Sequence, residues 1–224
     1  RNDGSKVLYF TGCTAVYREK EIARDTVKVL EAFKYQVEVL SDEYCCGSPL
    51  LRTGFKNDAE AVAKHNSYLL NSNDAQVIIV TCPGCYRVLT EDYPKLGYEL
   101  NKPVVHLSEF LEKHIDKIPS LKMSRNLTYH DPCHLGRHMG VFKPPRNIIE
   151  RIAQEQFIEM EHSGEDATCC GNGAGMRMLF TEKAKIVGAK RIEDASNVDA
   201  DIIITACPFC KNMLDDQKYE GMSV

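Results

Sequence analysis

Ten cysteines stand in this 224-residue chain in a pattern that occurs twice. Each half has a single cysteine, then an adjacent pair, then a C-x-x-C motif; the two sets are Cys13, Cys45, Cys46, Cys82, Cys85 and Cys133, Cys169, Cys170, Cys207, Cys210. Corresponding cysteines are 120 residues apart at the first position, 124 at the pair and 125 at the C-x-x-C. Flanking residues repeat as well, because Thr-Cys-Pro-Gly-Cys is echoed by Ala-Cys-Pro-Phe-Cys. The sequence therefore predicts a duplicated module.

Strand and helix patterns alternate in both halves. They predict strands at 7–10, 37–40, 77–80, 127–129 and 202–204, and helices at 19–33, 58–70, 146–152 and 181–195. Such alternation favours an α/β fold of two tandem duplicated domains, each a mainly parallel sheet flanked by helices. The stretch 113–125, which contains Pro119, is the expected linker. We place the domains at residues 1–122 and 123–224.

The C-x-x-C motifs directly follow the apolar runs 77–80 and 202–204, which puts them at the carboxyl ends of strands, where open α/β sheets bind ligands. Pro83 and Pro208 follow the first cysteine of each motif, so we expect Cys82 and Cys207 to cap helices. A helix N-terminus stabilises a thiolate.

Spacing also separates the metals that such cysteines can bind. A structural zinc ion takes four ligands, whereas each half offers five cysteines, two of them adjacent. Adjacent cysteines reach different metals of a multi-iron cluster more easily than they share one ion, particularly where Gly47 or Gly171 frees the backbone. An iron–sulfur cluster at the carboxyl end of the strands in each domain is the favoured interpretation, with zinc and disulfides as alternatives.

Charge and hydropathy exclude other classes of function. The 28 Lys and Arg residues nearly balance the 32 Asp and Glu residues, so there is no broad basic surface for nucleic acid. The apolar runs 77–80 and 202–204 are far shorter than the roughly 20 residues that span a bilayer, and no leader pattern opens the sequence. We expect a soluble cytoplasmic protein.

Three further motifs accompany the cysteine sets: Cys-Cys-Gly-Ser-Pro-Leu at 45–50, His-Asp-Pro-Cys-His at 130–134, and Cys-Cys-Gly-Asn-Gly-Ala-Gly-Met-Arg at 169–177. With these motifs the chain resembles the CCG-domain, or cysteine-rich domain, family, which includes the B-type and D-type subunits of archaeal heterodisulfide reductase. The likeness covers nearly the whole chain and is nearest to the C-terminal part of the D-type subunit. It implies two noncubane 4Fe-4S clusters, each held by one five-cysteine set.

The resemblance also implies a function, the reductive cleavage of a disulfide, for which the type substrate is the coenzyme M–coenzyme B heterodisulfide of methanogenesis. His134, next to Cys133, is the candidate proton donor. Expected partners are a ferredoxin-like iron–sulfur subunit or domain, and a flavoprotein or membrane cytochrome b subunit as electron donor. A membrane partner would place the chain at the cytoplasmic face. The alternative is an electron-transfer subunit of a lactate, glycolate, glycerol-3-phosphate or succinate dehydrogenase-type complex.

Other polar residues near the cysteines have weaker interpretations. His130 and Asp131 are expected to cap or turn the chain before Cys133. Arg137, His138 and Arg177 are candidates for binding an anionic group of a substrate, with a structural or exposed role as the alternative. The glycines of the segment 171–175 do not complete a dinucleotide-binding fingerprint and are expected to let the backbone pass close to a cluster.

Overall fold

A computed structural model describes residues 4–217 and 221–224 of the chain. It divides into two compact units, one ending at Phe110 and one beginning at Leu111. Within the described residues, no helix combines the length and the apolar character needed to cross a membrane.

The first unit alternates strands and helices. Its strands are β1 (Lys6–Phe10), β2 (Gln36–Glu38), β3 (Val77–Val80) and β4 (Val104–His106). Its helices are α1 (Cys13–Tyr17), α2 (Lys20–Ala32), α3 (Ser48–Arg52), α4 (Lys56–Ser72), α5 (Pro83–Arg87) and α6 (Tyr93–Lys95), with a π-helical turn at Val88–Asp92; α7 (Leu107–Glu112) follows β4.

These strands pair in the order β2–β1–β3–β4, and every pairing is parallel. The pairing of Phe10 with Val80 places the ends of β1 and β3 side by side. Both strands are buried almost completely from Val7 and Ile78 onward, as expected for parallel strands with helices on both faces. The prediction of parallel sheets flanked by helices is therefore confirmed. The strand β4 was not predicted, because three residues after Pro103 are too few to show a pattern.

The second unit is built on β5 (Leu127–His130) and β6 (Ile202–Thr205), which are parallel and in register. Its helices are α8 (Lys143–Ala153), α9 (Met176–Leu179), α10 (Thr181–Ser196) and α11 (Pro208–Asp215). Single bridges join Leu127 to Phe157 and Ile202 to Ser223 at the margins of this pair. The first of these bridges repeats the pairing of Val7 with Val37, 120 residues earlier.

The long helices α4 and α10 bury matching faces. Their buried positions are Ala59, Ala63, Asn66, Leu70 in α4 and Ala184, Gly188, Arg191, Ala195 in α10, each 125 residues apart. This spacing is that of one helical face, and small residues on it allow close packing. A polar side chain lies within each face, at Asn66 and Arg191.

The segment predicted as a linker, 113–125, packs within the second unit. It contains a short 3-10 helix, Ile115–Lys117, followed by irregular chain. The backbone of Leu121 donates to the carbonyl of Ile152 at 2.8 Å, and Arg151 donates to the carbonyl of Ile118 at 2.8 Å. Both contacts tie the segment to α8.

Candidate metal centres

The cysteines of the first set meet at the carboxyl ends of β1 and β3. Cys13 begins α1 just after β1. Cys82 caps α5 and Cys85 lies in that helix, which starts at Pro83, so the predicted capping position of Cys82 is confirmed. The strand order reverses between β1 and β3, the position at which open parallel sheets bind ligands.

The sulfur atoms of this set form a continuous series of contacts. Cys13 Sγ and Cys45 Sγ are 3.6 Å apart. Cys46 is in hydrogen-bond contact with Cys45 on one side and Cys85 on the other. Cys85 in turn contacts Cys82. The fold thus gathers all five thiols of the first half into one site.

The second set is gathered in the same way. Its contacts run through Cys133, Cys169, Cys170, Cys210 and Cys207 in that order. Cys207 caps α11 directly after β6, as predicted. The backbone N–H of Gly171 donates to Cys169 Sγ at 3.3 Å, a contact that favours a thiolate.

Hydrogen bonding within each set favours one thiolate. Contacts with Cys45 and Cys85 lower the pKa of Cys46 to about 6. Contacts with Cys133 and Cys170 lower the pKa of Cys169 to about 2. By contrast, the contact with Cys45, together with burial, raises the pKa of Cys13. Since the thiolate is the form that binds a metal, each set has a ligand prepared among neighbouring thiols.

Glu43 ties the loop before the first cysteine pair to the end of β1. Its carboxylate accepts hydrogen bonds from the backbone N–H of Thr11 at 2.9 Å, the hydroxyl of Thr11 at 2.9 Å and the backbone N–H of Gly12 at 2.7 Å. Burial raises the pKa of Glu43, and these hydrogen bonds oppose that rise. The contacts hold the chain on both sides of the contact between Cys13 and Cys45.

Asn66 supports the same loop from α4. Its amide accepts from the backbone N–H of Tyr44 and donates to the carbonyls of Tyr44 and Cys45 and to the hydroxyl of Tyr93, all between 3.0 and 3.2 Å. A buried amide with four partners fixes the backbone it contacts.

Arg191 occupies the corresponding position of α10 and is completely buried. It donates to the carbonyl of His162 at 2.7 Å, to the Thr168 hydroxyl at 3.3 Å and to Asp194 at 3.0 Å. Thr168 directly precedes the second cysteine pair. Burial lowers the pKa of Arg191, while Asp194 opposes that shift. The sequence analysis missed Glu43, Asn66 and Arg191; the signal for the last two was a polar residue at the same position of each apolar helix face.

The donor sets fit an iron–sulfur cluster in their chemistry. Every cysteine is a free thiol, and none of the ten takes part in a disulfide among the described residues. A single zinc ion would leave one thiol of each five unused. Helix N-termini and backbone N–H groups around the sulfurs suit an anionic cluster.

The sequence profile of the family described as the cysteine-rich domain (CCG) matches the chain twice, over residues 7–90 and 127–215. The chain belongs to the cysteine-rich domain family. Each copy of the domain contains one complete five-cysteine set, so the resemblance and the tandem duplication predicted from the sequence are confirmed. The predicted boundary at residue 122 lies between the two copies and stays a prediction.

Curated relatives share this region over most of the present chain. The D-type subunit of a dihydromethanophenazine:CoB–CoM heterodisulfide reductase from Methanosarcina acetivorans is 43% identical over 222 residues, which cover 96% of this chain and 54% of the relative. The B-type subunit of a fumarate reductase (CoM/CoB) from Methanothermobacter marburgensis is 39% identical, covering 99% and 44%. An EtfAB:quinone oxidoreductase from Syntrophomonas wolfei is 34% identical, covering 96% and 32%. The chain spans about half the length, or less, of these relatives.

His134 lies where a group could reach the second set of the cysteine-rich domain pair. It directly follows Cys133 and is half-buried. Its ring meets that of His138 edge to face, with the ring centroids 5.0 Å apart. Its role as proton donor stays a prediction.

Two arginines considered as anion ligands contact other parts of the second cysteine-rich domain. Arg137 donates to the carbonyls of Glu165 and Ala167, in the loop that leads to Cys169. Arg177 donates to the Asn212 side chain at 2.6 Å and also pairs with Asp216. These contacts favour the structural alternative for both arginines.

The interpretation of His130 and Asp131 as capping or turn residues is wrong. His130 is the last residue of β5 and is 1% exposed, so it pairs within the sheet and does not turn the chain. Asp131 reaches away from its own backbone: it accepts from Arg146 at 2.7 and 2.8 Å and from the backbone N–H of Gly164 at 2.9 Å.

His130 is instead part of the second centre. A ring nitrogen of His130, Cys170 Sγ and Cys210 Sγ all lie within 4.8 Å of one another. Burial, aided by the nearby Arg191, lowers the pKa of His130 to about 4. A histidine that ends an apolar strand three residues before a ligand cysteine was the available sequence signal.

Proposed function

We propose that this chain is the catalytic iron–sulfur part of an oxidoreductase of the heterodisulfide reductase type, which cleaves a small-molecule disulfide reductively at two noncubane 4Fe-4S clusters. The observation that carries the proposal is that both units gather a complete set of five free thiols. A relative that is 43% identical is named as the D-type subunit of a heterodisulfide reductase, and this supports the choice of substrate class.

The reaction requires balanced supplies of electrons and protons. The S–S bond of the substrate breaks, each sulfur gains one electron and one proton, and two thiols leave. When bound, the clusters supply the electrons, one from each cluster. Two equivalent cysteine sets match this demand, because neither product sulfur then needs to wait as a radical.

The residues of the chain would divide the remaining work. The ten cysteines hold the clusters, with Cys46 and Cys169 as the most readily ionised thiols. His134 carries a proton on a ring nitrogen next to Cys133 and gives it to a product sulfur. The groups that fix the ligand loops, Glu43 in one unit and Arg191 in the other, keep the thiols in place.

Electrons must arrive from a partner. We propose a ferredoxin-like iron–sulfur subunit or domain as the immediate donor, which would itself receive electrons from a flavoprotein or a membrane cytochrome b. Such an assembly would work in the cytoplasm or at the cytoplasmic face of the membrane. The names of two relatives, which describe them as subunits of reductases, support an assembly of several chains.

A second candidate is an electron-transfer subunit that passes electrons to another centre without cleaving a disulfide. The relative named EtfAB:quinone oxidoreductase, 34% identical over 230 residues, favours this candidate. The two candidates share the clusters and differ in whether a disulfide reacts at them.

The test begins with protein prepared without oxygen. Iron and acid-labile sulfide are measured per chain, and the protein is assayed for thiol release from the coenzyme M–coenzyme B heterodisulfide and from other small disulfides, with reduced viologen dye as electron donor. Roughly eight irons per chain with thiol release would support disulfide reduction. The same iron with electron uptake but no thiol release would favour the electron-transfer candidate. Zinc without iron would overturn both.

A further inference from the structure

The two centres differ at the residue that ends the strand leading to them. β1 ends at Phe10 and β5 at His130, and each lies three residues before the first cysteine of its set. Phe10 pairs with Val80 and His130 with Thr205, two residues before Cys82 and Cys207. The two side chains therefore occupy equivalent places in the two units. Both are 1% exposed, but one is apolar and the other is an imidazole.

The imidazole of His130 is buried without a hydrogen-bond partner. Neither Nδ1 nor Nε2 has one, although both nitrogens are inaccessible to solvent. A buried polar group in this condition is rare and needs an explanation, because burying it without a partner is destabilising. The sulfurs of Cys170 and Cys210 lie within 4.8 Å of a ring nitrogen of His130, so the ring borders the volume that the second thiol set surrounds.

We propose that His130 donates an N–H hydrogen bond to a sulfur of the cluster held by the second set, and that this bond raises the reduction potential of that cluster above that of the first. The proposal rests on the cluster binding proposed above. A hydrogen bond to a cluster sulfur stabilises the more negative, reduced state and so raises the potential. Phe10 cannot donate such a bond, so the first cluster lacks it.

Donation fits the ring better than ligation of iron. Imidazole has at least one N–H in either protonation state, so a donor is present whatever its charge. The first set has the same five thiols and only Phe10 at the equivalent position. Thiols alone must therefore hold the first cluster, and the second set has no need of a sixth ligand.

The experiment compares His130→Phe, which gives the second centre the residue of the first, with His130→Asn and His130→Gln, which keep an N–H donor. Each protein is prepared without oxygen, its iron is counted, and its clusters are titrated potentiometrically under electron paramagnetic resonance. A Cys13→Ser background, which removes a ligand of the first cluster, assigns the signal of the second.

We expect His130→Phe to keep its iron and to shift one midpoint potential downward, the one that persists in Cys13→Ser protein. At least one of the two amide variants should restore part of the shift. Weak coupling to nitrogen-15 histidine in the wild type, lost in His130→Phe, would support a hydrogen bond. Unchanged potentials in iron-loaded His130→Phe would overturn the proposal, and so would strong nitrogen coupling typical of an iron ligand. Wild-type protein without iron would overturn the proposed function itself.

Discussion

The carboxylate of Glu43 lies 2.7 Å from the backbone nitrogen of Gly12, the residue before Cys13. With its two contacts to Thr11, it joins the strand end that carries the first cysteine to the loop that carries the pair. The position of the thiols in the first unit thus depends on a side chain that is not itself a metal ligand.

Glu43→Gln should weaken the first centre. An amide keeps one acceptor oxygen but turns an N–H group toward a buried backbone N–H, so we expect a loss of about 1–3 kcal/mol in the free energy of unfolding. Iron per chain should fall toward half. Chemical denaturation and iron analysis measure both effects. Glu60→Gln, at an exposed position of α4, is the matched control. Equal stability and iron content in the two variants would contradict this role of Glu43.

Asn66→Ala should loosen the loop before the first cysteine pair. It removes four hydrogen bonds and leaves buried backbone groups of Tyr44 and Cys45 without those partners, at a cost of about 2–3 kcal/mol. Urea unfolding of the variant measures this loss. Asn57→Ala replaces an exposed asparagine in the same helix and should change stability by less than about 1 kcal/mol. A similar loss in both variants would show that the contacts of Asn66 add little.

Gly171→Ala should be much more damaging than Gly47→Ala. Both glycines follow a cysteine pair with positive φ, +89° and +84°, which costs alanine about 1–2 kcal/mol. At Gly171 the added methyl group would also collide with the backbone carbonyl of Ala184, whereas at Gly47 the nearest atom is 3.6 Å away. We expect a further loss of about 1–3 kcal/mol for Gly171→Ala. Thermal unfolding of the pair decides, and equal losses would rule out the collision.

His134→Gln tests the proposed proton donor. If His134 delivers a proton to a product thiolate, the rate of disulfide cleavage should fall on the order of 100-fold while iron content is unchanged. Steady-state assays with reduced viologen measure the rate, and iron analysis confirms loading. His138→Gln changes the ring that packs against His134 and should have a smaller effect. A variant that keeps the wild-type rate would exclude His134 as the donor.

The sequence predicted the elements whose cause is local. The strand at 77–80 is exact because a short run of branched residues suits a strand buried on both faces. Helices α2, α4, α8 and α10 were predicted to within three residues at either end, because a helical face repeats over several turns. The capping positions of Cys82 and Cys207 follow from the proline after each.

The supporting residues of the centres were not predictable in the same way. Glu43 and Arg191 take their roles from partners more than 20 residues away in sequence. The histidine in the apolar run 127–130 gave no sign of which face of β5 it occupies or of which sulfurs it approaches. These relationships depend on tertiary packing, which overrides local propensity.

The bridge between Leu127 and Phe157 still keeps the 120-residue offset of the first cysteines, whereas the offset is 124 at the second cysteine pair. The extra length of the second copy therefore entered between Phe157 and Cys169. There the polarity of the tether is reversed. In the first copy the loop supplies the carboxylate, Glu43, and the strand end supplies the N–H; in the second, the strand end supplies the carboxylate, Asp131, and the loop supplies the N–H of Gly164. The two copies have thus diverged to opposite solutions for closing the same loop, so exchanging only Glu43 or Asp131 between them would leave each loop without its partner.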